Sequence, residues 1–222
     1  MMGRAGANSA AFPHAHLLSP LRRAYAMAMP LAKQGASTSL SSRRDWTVAE
    51  INALPDNDNR YEVVDGELLV TPSPSYAHQD AILALVMRMG TYVESRGLHL
   101  LFAPAAVTFS PRREVQPDLL VLPTRSGVKA RRFADAGRLE LAVEVLSPSS
   151  SRADRYVKRR LYQSEGVPEY WMIDIGNRCV ERWRPADEEP EVLVDALAWQ
   201  PHADAAALVI DLVDFFRAVH GT

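Results

Sequence analysis

Asp118 and Glu144 stand where an apolar chain has no reason to place a charge. Asp118 follows Pro117 and precedes Leu119-Leu120-Val121-Leu122, and Glu144 sits inside Leu141-Ala142-Val143-Glu144-Val145-Leu146. An unpaired charge in a buried strand costs several kcal/mol, so each acid must pair, take up a proton or bind a metal. If the two strands are neighbours, as their order in the chain implies, both acids project from one end of a sheet. Two carboxylates, a strand carbonyl such as that of Val145, and water suit Mg²⁺ or Mn²⁺, because such ions take few carboxylates and keep part of their hydration. A metal held there lowers the pKa of a bound water and offsets charge developing on a phosphate.

A third element follows in the chain. Asp154, Lys158 and Tyr162 are four residues apart and share one face of a helix. From that face Lys158 can orient an attacking water or neutralise a phosphate. Plainer readings exist for all three groups: Asp118 as a strand-entry cap, Glu144 in a structural ion pair, and Lys158 as an exposed partner of Asp154.

The elements that must position these residues can be read from periodicity. Thr47-Val48-Ala49-Glu50 predicts a capping box and a short helix, closed near Pro55. Residues 61–70 predict two strands around Asp65-Gly66, a favoured hairpin turn. His78, Ile82, Leu85, Val86, Met89 and Val93 recur at helical spacing, and Gly97 stops that helix. Strands are expected at about 99–109, 116–122 and 139–146. A helix capped by Ser149 to Ser151 should run to Glu165. Strands at 169–175, 178–184 and 192–195 and a partly helical segment from Leu208 to Val219 complete the chain. The resulting α-β-β-β-α-β core implies an α/β sandwich around a mixed sheet flanked by helices, with an N-terminal β-hairpin.

Five ordered blocks carry a resemblance. They are Tyr61-Glu62-Val63-Val64-Asp65-Gly66-Glu67-Leu68 with Pro72-Ser73-Pro74 and His78; Gln116-Pro117-Asp118; Val143 to Ser149; Asp154, Lys158 and Tyr162; and Gly166-Val167-Pro168-Glu169-Tyr170-Trp171-Met172-Ile173-Asp174. Together, over about residues 45–195, they resemble the Uma (Uma two) family, which is grouped with the PD-(D/E)xK nucleases. The resemblance implies a restriction-endonuclease-like fold and a Mg²⁺- or Mn²⁺-dependent endonuclease acting on DNA. By it Asp118 and Glu144 are the metal-binding acids, and a homodimer is allowed. The superfamily places its lysine two residues after the second acid, where this chain has Leu146, so the resemblance assigns the lysine to Lys158. In related folds the N-terminal region can donate a further ligand, for which Glu67 and His78 are the candidates here. A half-buried, satisfied histidine is the plainer account of His78.

Composition limits the alternatives. One cysteine, Cys179, excludes a disulfide framework and a cysteine-based zinc site and fits a reducing cytoplasm. No apolar run approaches the length a membrane helix needs. Residues 1–44 hold six of the 25 basic residues and none of the 27 acidic ones, leaving 45–222 with 19 basic and 27 acidic, a net of −8. That balance is poor for general nucleic-acid binding, so DNA contact needs a local basic patch. Arg and Lys do cluster at 125–138 and at 152–160, beside the two acids, although a solvated charged face explains them too. Two rival functions remain: a non-catalytic nucleic-acid or protein-binding module on the same fold, and a hydrolase of small phosphoesters. Residues 1–44, rich in Ala, Ser and Pro, are expected to be a disordered or targeting-like tail on a domain spanning 45–222. Deleting them is expected to leave the thermal melting temperature unchanged within error; a clear drop would show that they pack.

Overall fold

Leu141–Val145 (β7) lies inside a six-stranded sheet of the computed structural model, which describes residues 43–55 and 58–221. The sheet runs β10-β9-β8-β7-β6-β3, from β3 (Leu98–Phe102) through β6 (Leu119–Pro123) to β8 (Tyr170–Asp174), β9 (Cys179–Trp183) and β10 (Glu191–Leu193). Every neighbouring pair is antiparallel except β7 and β8. A parallel pair needs a long crossover. Residues 146–169 supply it.

A second sheet, ordered β2-β1-β5-β4, contains β1 (Arg60–Val64), β2 (Glu67–Thr71), β4 (Val107–Ser110) and β5 (Arg113–Val115). Its hairpin turns at Asp65 and Gly66, both at positive φ (52° and 85°), as the two-residue turn requires. β11 (Ala196–Trp199) and β12 (Leu208–Asp211) form a separate ribbon.

Alternation within the large sheet divides the apolar residues between two cores. Leu119, Val121, Leu141, Val143, Val145, Trp171 and Ile173 face α2 (Tyr76–Ser95) and α5 (Leu212–His220). Leu120, Leu122, Ala142, Tyr170 and Met172 face the other way, toward Val64, Val107, Leu161 and Tyr162. Glu144, at an even position like Ala142, belongs to this second face. The helix α2 is capped by Ser75, whose hydroxyl accepts the His78 N–H, and it buries His78, Ala81, Ile82, Leu85, Met89 and Val93. The short helix α1 (Val48–Ile51) has the capping box that Thr47 and Glu50 predict. The core order is the expected α-β-β-β-α-β, with β4 and β5 inserted between its first two strands.

Several boundaries differ from the sequence reading. The run at 99–109 breaks at Ala103-Pro104, because Pro104 has no N–H for a ladder, and the chain leaves one sheet for the other. Gln116-Pro117-Asp118 stays outside β6. The helix after β7 starts at Ser151, inside the 149–151 stretch, and Ser147 Oγ accepts the Ser150 N–H at 3.2 Å in the turn that leads into it. That helix runs through a π-helical stretch, Ala153–Lys158, before continuing as α4 (Arg159–Ser164), while α3 (Phe133–Ala136) is a single turn. β11 was not anticipated, and the segment from Leu208 begins as its strand partner before turning helical. Tyr170 and Trp171 lie in the core. Arg43 and Arg44, counted above in the tail, make contacts: Arg43 to Asp45 and Glu50, and the Arg44 carbonyl to the Arg112 guanidinium. A cut after residue 42 spares them.

Among the described residues no helix is long and apolar enough to cross a membrane. Phe215, fully buried where α5 packs on α2, has Arg88 over its ring at 5.6 Å and Phe216 beside it. Phe215→Ala should cost about 3–5 kcal/mol in chemical denaturation. A cost below 1 kcal/mol would contradict this packing.

Candidate active site

Glu144 brings a carboxylate to the face of the sheet that also receives the helix 153–164. Its Oε1 accepts from Lys158 Nζ at 2.9 Å and from the Tyr162 hydroxyl at 3.2 Å. Lys158 is not an exposed partner of Asp154. It is 1% exposed and has three carboxylates around it: Glu144, Glu62 at 2.9 Å and Asp154 at 3.4 Å. The π-helical stretch carries Asp154 and Lys158 together into the interior. Its wide turn is closed by the Arg159 N–H on the Asp154 carbonyl, which also accepts from the Tyr170 hydroxyl at 3.2 Å.

Asp118 is placed by backbone as much as by side chains. Pro117 favours an extended residue before it, and Gln116 is pinned on both sides: its N–H donates to Glu62 at 2.7 Å and its carbonyl accepts from Arg60 at 2.9 Å. The Asp118 carbonyl accepts from Ala103 at 3.1 Å. One step on, Leu119 pairs with Val143, so Asp118 comes opposite Glu144. Its Oδ1 accepts from Arg60 at 3.0 Å. Its Oδ2 accepts from the Val145 N–H at 2.8 Å and lies 3.0 Å from His78 Nε2.

The electrostatics of the two acids differ. Burial works to raise the Asp118 carboxyl, but the hydrogen bond and charge of His78, with Arg60 and Lys158, hold it well below the usual carboxylate range. Burial pushes Glu144 well above that range, and Lys158 only partly opposes it, since Asp118, Asp154 and Glu62 add repulsion. Asp154 is raised too, chiefly by burial. Lys158 is held above its ordinary value by Glu144, Glu62 and Asp154 despite its burial. Burial likewise raises the Tyr162 and Tyr170 hydroxyls.

A cleft of about 820 Å³ opens onto half of this cluster. Arg60, His78, Gln116 and Asp118 line it; Glu144 and Lys158 lie behind them. Of the expected site residues, the structure brings together Asp118, Glu144, Lys158, Tyr162 and His78; Val145 joins them through its N–H on Asp118, not through the carbonyl expected to bind metal. Glu67 is elsewhere, half-exposed near the hairpin turn with Arg44 at 3.5 Å. Arg60 and Glu62 escaped the sequence reading. No local signal marked Glu62, because an acid that alternates with apolar residues reads as solvent-facing, unlike Glu144 within its apolar run.

The donors suit a hard divalent cation in kind: four buried carboxylates face two permanent cations, Arg60 and Lys158. Among the described residues, however, no three His, Cys, Asp or Glu side chains converge as a ready-made cage. Both Asp118 oxygens are already engaged, Oδ2 by Val145 and His78 and Oδ1 by Arg60 alone, so a cation binding there would share Oδ1 with Arg60 or displace His78.

Sheet, crossover helix and paired acids define a restriction-endonuclease-like α/β protein. The Uma2 family model, described as "Putative restriction endonuclease", matches residues 48–211, and the chain belongs to that family. The fold is similar to the crystal structure of a "putative nuclease" of the DUF820 family from Anabaena variabilis. The TM-score is 0.64 at 21% identity, over 78% of this chain and 99% of that one. No curated protein matches.

Removing Lys158 leaves three buried carboxylates without their cation. Lys158→Met should therefore cost about 3–5 kcal/mol at neutral pH. Acids whose folded pKa is raised stabilise the fold below their unfolded pKa and lose that contribution as pH rises through the folded value. The deficit of the variant should accordingly shrink as pH falls from 8 toward 5. Urea midpoints across that range test it, and a pH-independent deficit would contradict the cluster.

Proposed function

We propose that this protein is a metal-dependent nuclease that hydrolyses DNA phosphodiester bonds. The observation that carries this reading is the meeting of Asp118, at the entry to β6, with Glu144 on the neighbouring β7, beside a cleft and within a buried surplus of negative charge. Membership of a family described as "Putative restriction endonuclease" supports it. Mg²⁺ or Mn²⁺, when bound, supplies a water of lowered pKa and charge to offset that developing on phosphorus. Asp118 and Glu144 are the residues to hold it. The strong depression of Asp118 keeps that carboxylate ionised for the task. Lys158 and Tyr162, both on Glu144 Oε1, fix the direction of the second carboxylate. Lys158 thus serves the reaction through Glu144, since its ammonium is enclosed by acids and does not line the cleft. His78 orients Asp118 through Oδ2.

One observation favours a second reading, a non-catalytic binding module on the same fold. Both oxygens of Asp118 already have protein partners. Metal titration separates the two readings.

For a nuclease, millimolar Mg²⁺ or Mn²⁺ should raise the melting temperature by mass action. Protons compete for the raised carboxyl of Glu144, so the increment should be larger at pH 8 than at pH 5.5. Asp118→Asn and Glu144→Gln should abolish it. Plasmid and oligonucleotide cleavage by Asp118→Ala should fall below about one-hundredth of wild type. A full metal shift in both Asn and Gln variants would move the site elsewhere, and metal binding without cleavage by wild type would favour the binding module.

A further inference from the structure

Of the ten basic residues at 125–138 and 152–160, none lines the cleft. Arg155 is tied to Asp174 and Glu181, Arg138 to Glu140, Lys129 to Glu94 and Arg132 to Asp135. Among the described residues, Arg60 is the single Lys or Arg in the cleft lining. Only one of its guanidinium nitrogens is engaged, on Asp118 and the Gln116 carbonyl. Its remaining N–H groups have no partner among the described residues. A duplex is held by many cations spread along two backbones. This cleft offers one.

The rest of the lining mixes neutral polar groups with aliphatic side chains and prolines, two acids (Asp58 and Asp118), and one exposed aromatic. Asn52, Asn59, Gln79, Gln116 and several serines supply amides and hydroxyls of the kind that meet base edges. Phe102 lines the same cleft with 56% of its surface exposed, and it is absent from both cores. Its position is fixed relative to the acids, because it pairs with Leu119 and the next N–H, of Ala103, donates to the Asp118 carbonyl. Asp118 itself is only 2% exposed. A phosphate must enter the cleft to reach it, and a stiff duplex carries its phosphates on the outside of a rod. The volume falls within the roughly 300–1,000 Å³ of pockets that enclose small ligands, enough for a few nucleotides of a flexible strand.

We infer that the cleft takes single-stranded nucleic acid, with Arg60 on a backbone phosphate beside Asp118 and a base stacked on Phe102. The inference rests on the nuclease reading for the role of Asp118 and adds the form of the substrate. Stacking on an aromatic ring supplies affinity that is indifferent to sequence and needs little positive charge.

Fluorescence anisotropy with a labelled strand of about 12 nucleotides, alone or annealed to its complement, tests it. Ca²⁺ replaces Mg²⁺ to prevent turnover. The single strand should bind about tenfold or more tighter than the duplex. Phe102→Ala, an exposed position whose melting temperature should not change, should weaken single-strand binding about tenfold. Arg60→Gln should reduce the slope of log affinity against log salt by about 0.7, one phosphate contact on a single strand. Three results would overturn the inference: equal or tighter duplex binding, wild-type affinity in Phe102→Ala, or a mononucleotide that competes as well as the strand. Phe102-dependent single-strand binding with no cleavage under any metal sinks the hydrolytic reading and leaves this one standing. Cleavage confined to duplex and unaffected by Phe102→Ala does the reverse.

Discussion

Among the described residues the ammonium of Lys158 is the cation in direct contact with Glu62, Glu144 and Asp154, and a low-dielectric interior makes that imbalance matter. Burial and neighbouring carboxylates raise Glu144 and Asp154, so protonation there or an added cation relieves the cluster. Much of the architecture follows from keeping that ammonium in place. The even face of β7 presents Glu144 to it, the π-helical stretch turns Lys158 and Asp154 inward together, and β1 of the other sheet brings Glu62 from the opposite side. Each support lies in a different element, so the cluster fastens both sheets and the crossover helix to one point.

Asp118 stands at the boundary between this sealed interior and the cleft. Its partners on the open side, Arg60 and His78, are side chains that can exchange places with a ligand; on the closed side the Val145 N–H cannot. The site therefore has a fixed wall and an adjustable one. The asymmetry accompanies the opposite displacement of the two acids: at Asp118, His78, Arg60 and Lys158 outweigh burial, whereas at Glu144 burial dominates and neighbouring carboxylates add to it against Lys158.

What the sequence revealed was local. Thr47 and Glu50 specify a capping box within four residues, Asp65-Gly66 specifies a turn within two, and the apolar face of 76–95 repeats over many turns. Asp118 and Glu144 were legible because a charge inside an apolar run is costly wherever the chain folds. Arg60 and Glu62 were hidden by their context. Flanked by Tyr61 and Val63, they read as the solvent face of a hairpin, and only docking of the second sheet makes that face an interior. The break at Pro104 and the π-helical stretch were missed for a related reason: both re-aim the chain toward partners distant in sequence. The division of the large sheet into two cores was readable in the alternation of β6, β7 and β8; which helices cover each core was not.

The hairpin that carries Arg60 and Glu62 is made early in the chain, yet its two polar side chains find their partners late. Arg60 reaches Asp118 across 58 positions, and Glu62 must wait for Lys158, further along still. Closing such long loops is slow in entropic terms, while the hairpin itself forms fast. During synthesis the first acid is thus extruded, and its strand built, before the lysine exists to neutralise the group. A nascent chain has the cleft wall without the charge that organises it. The cluster around Asp118 and Glu144 is consequently among the last parts to become complete, which ties its assembly to the finished molecule rather than to any segment of it.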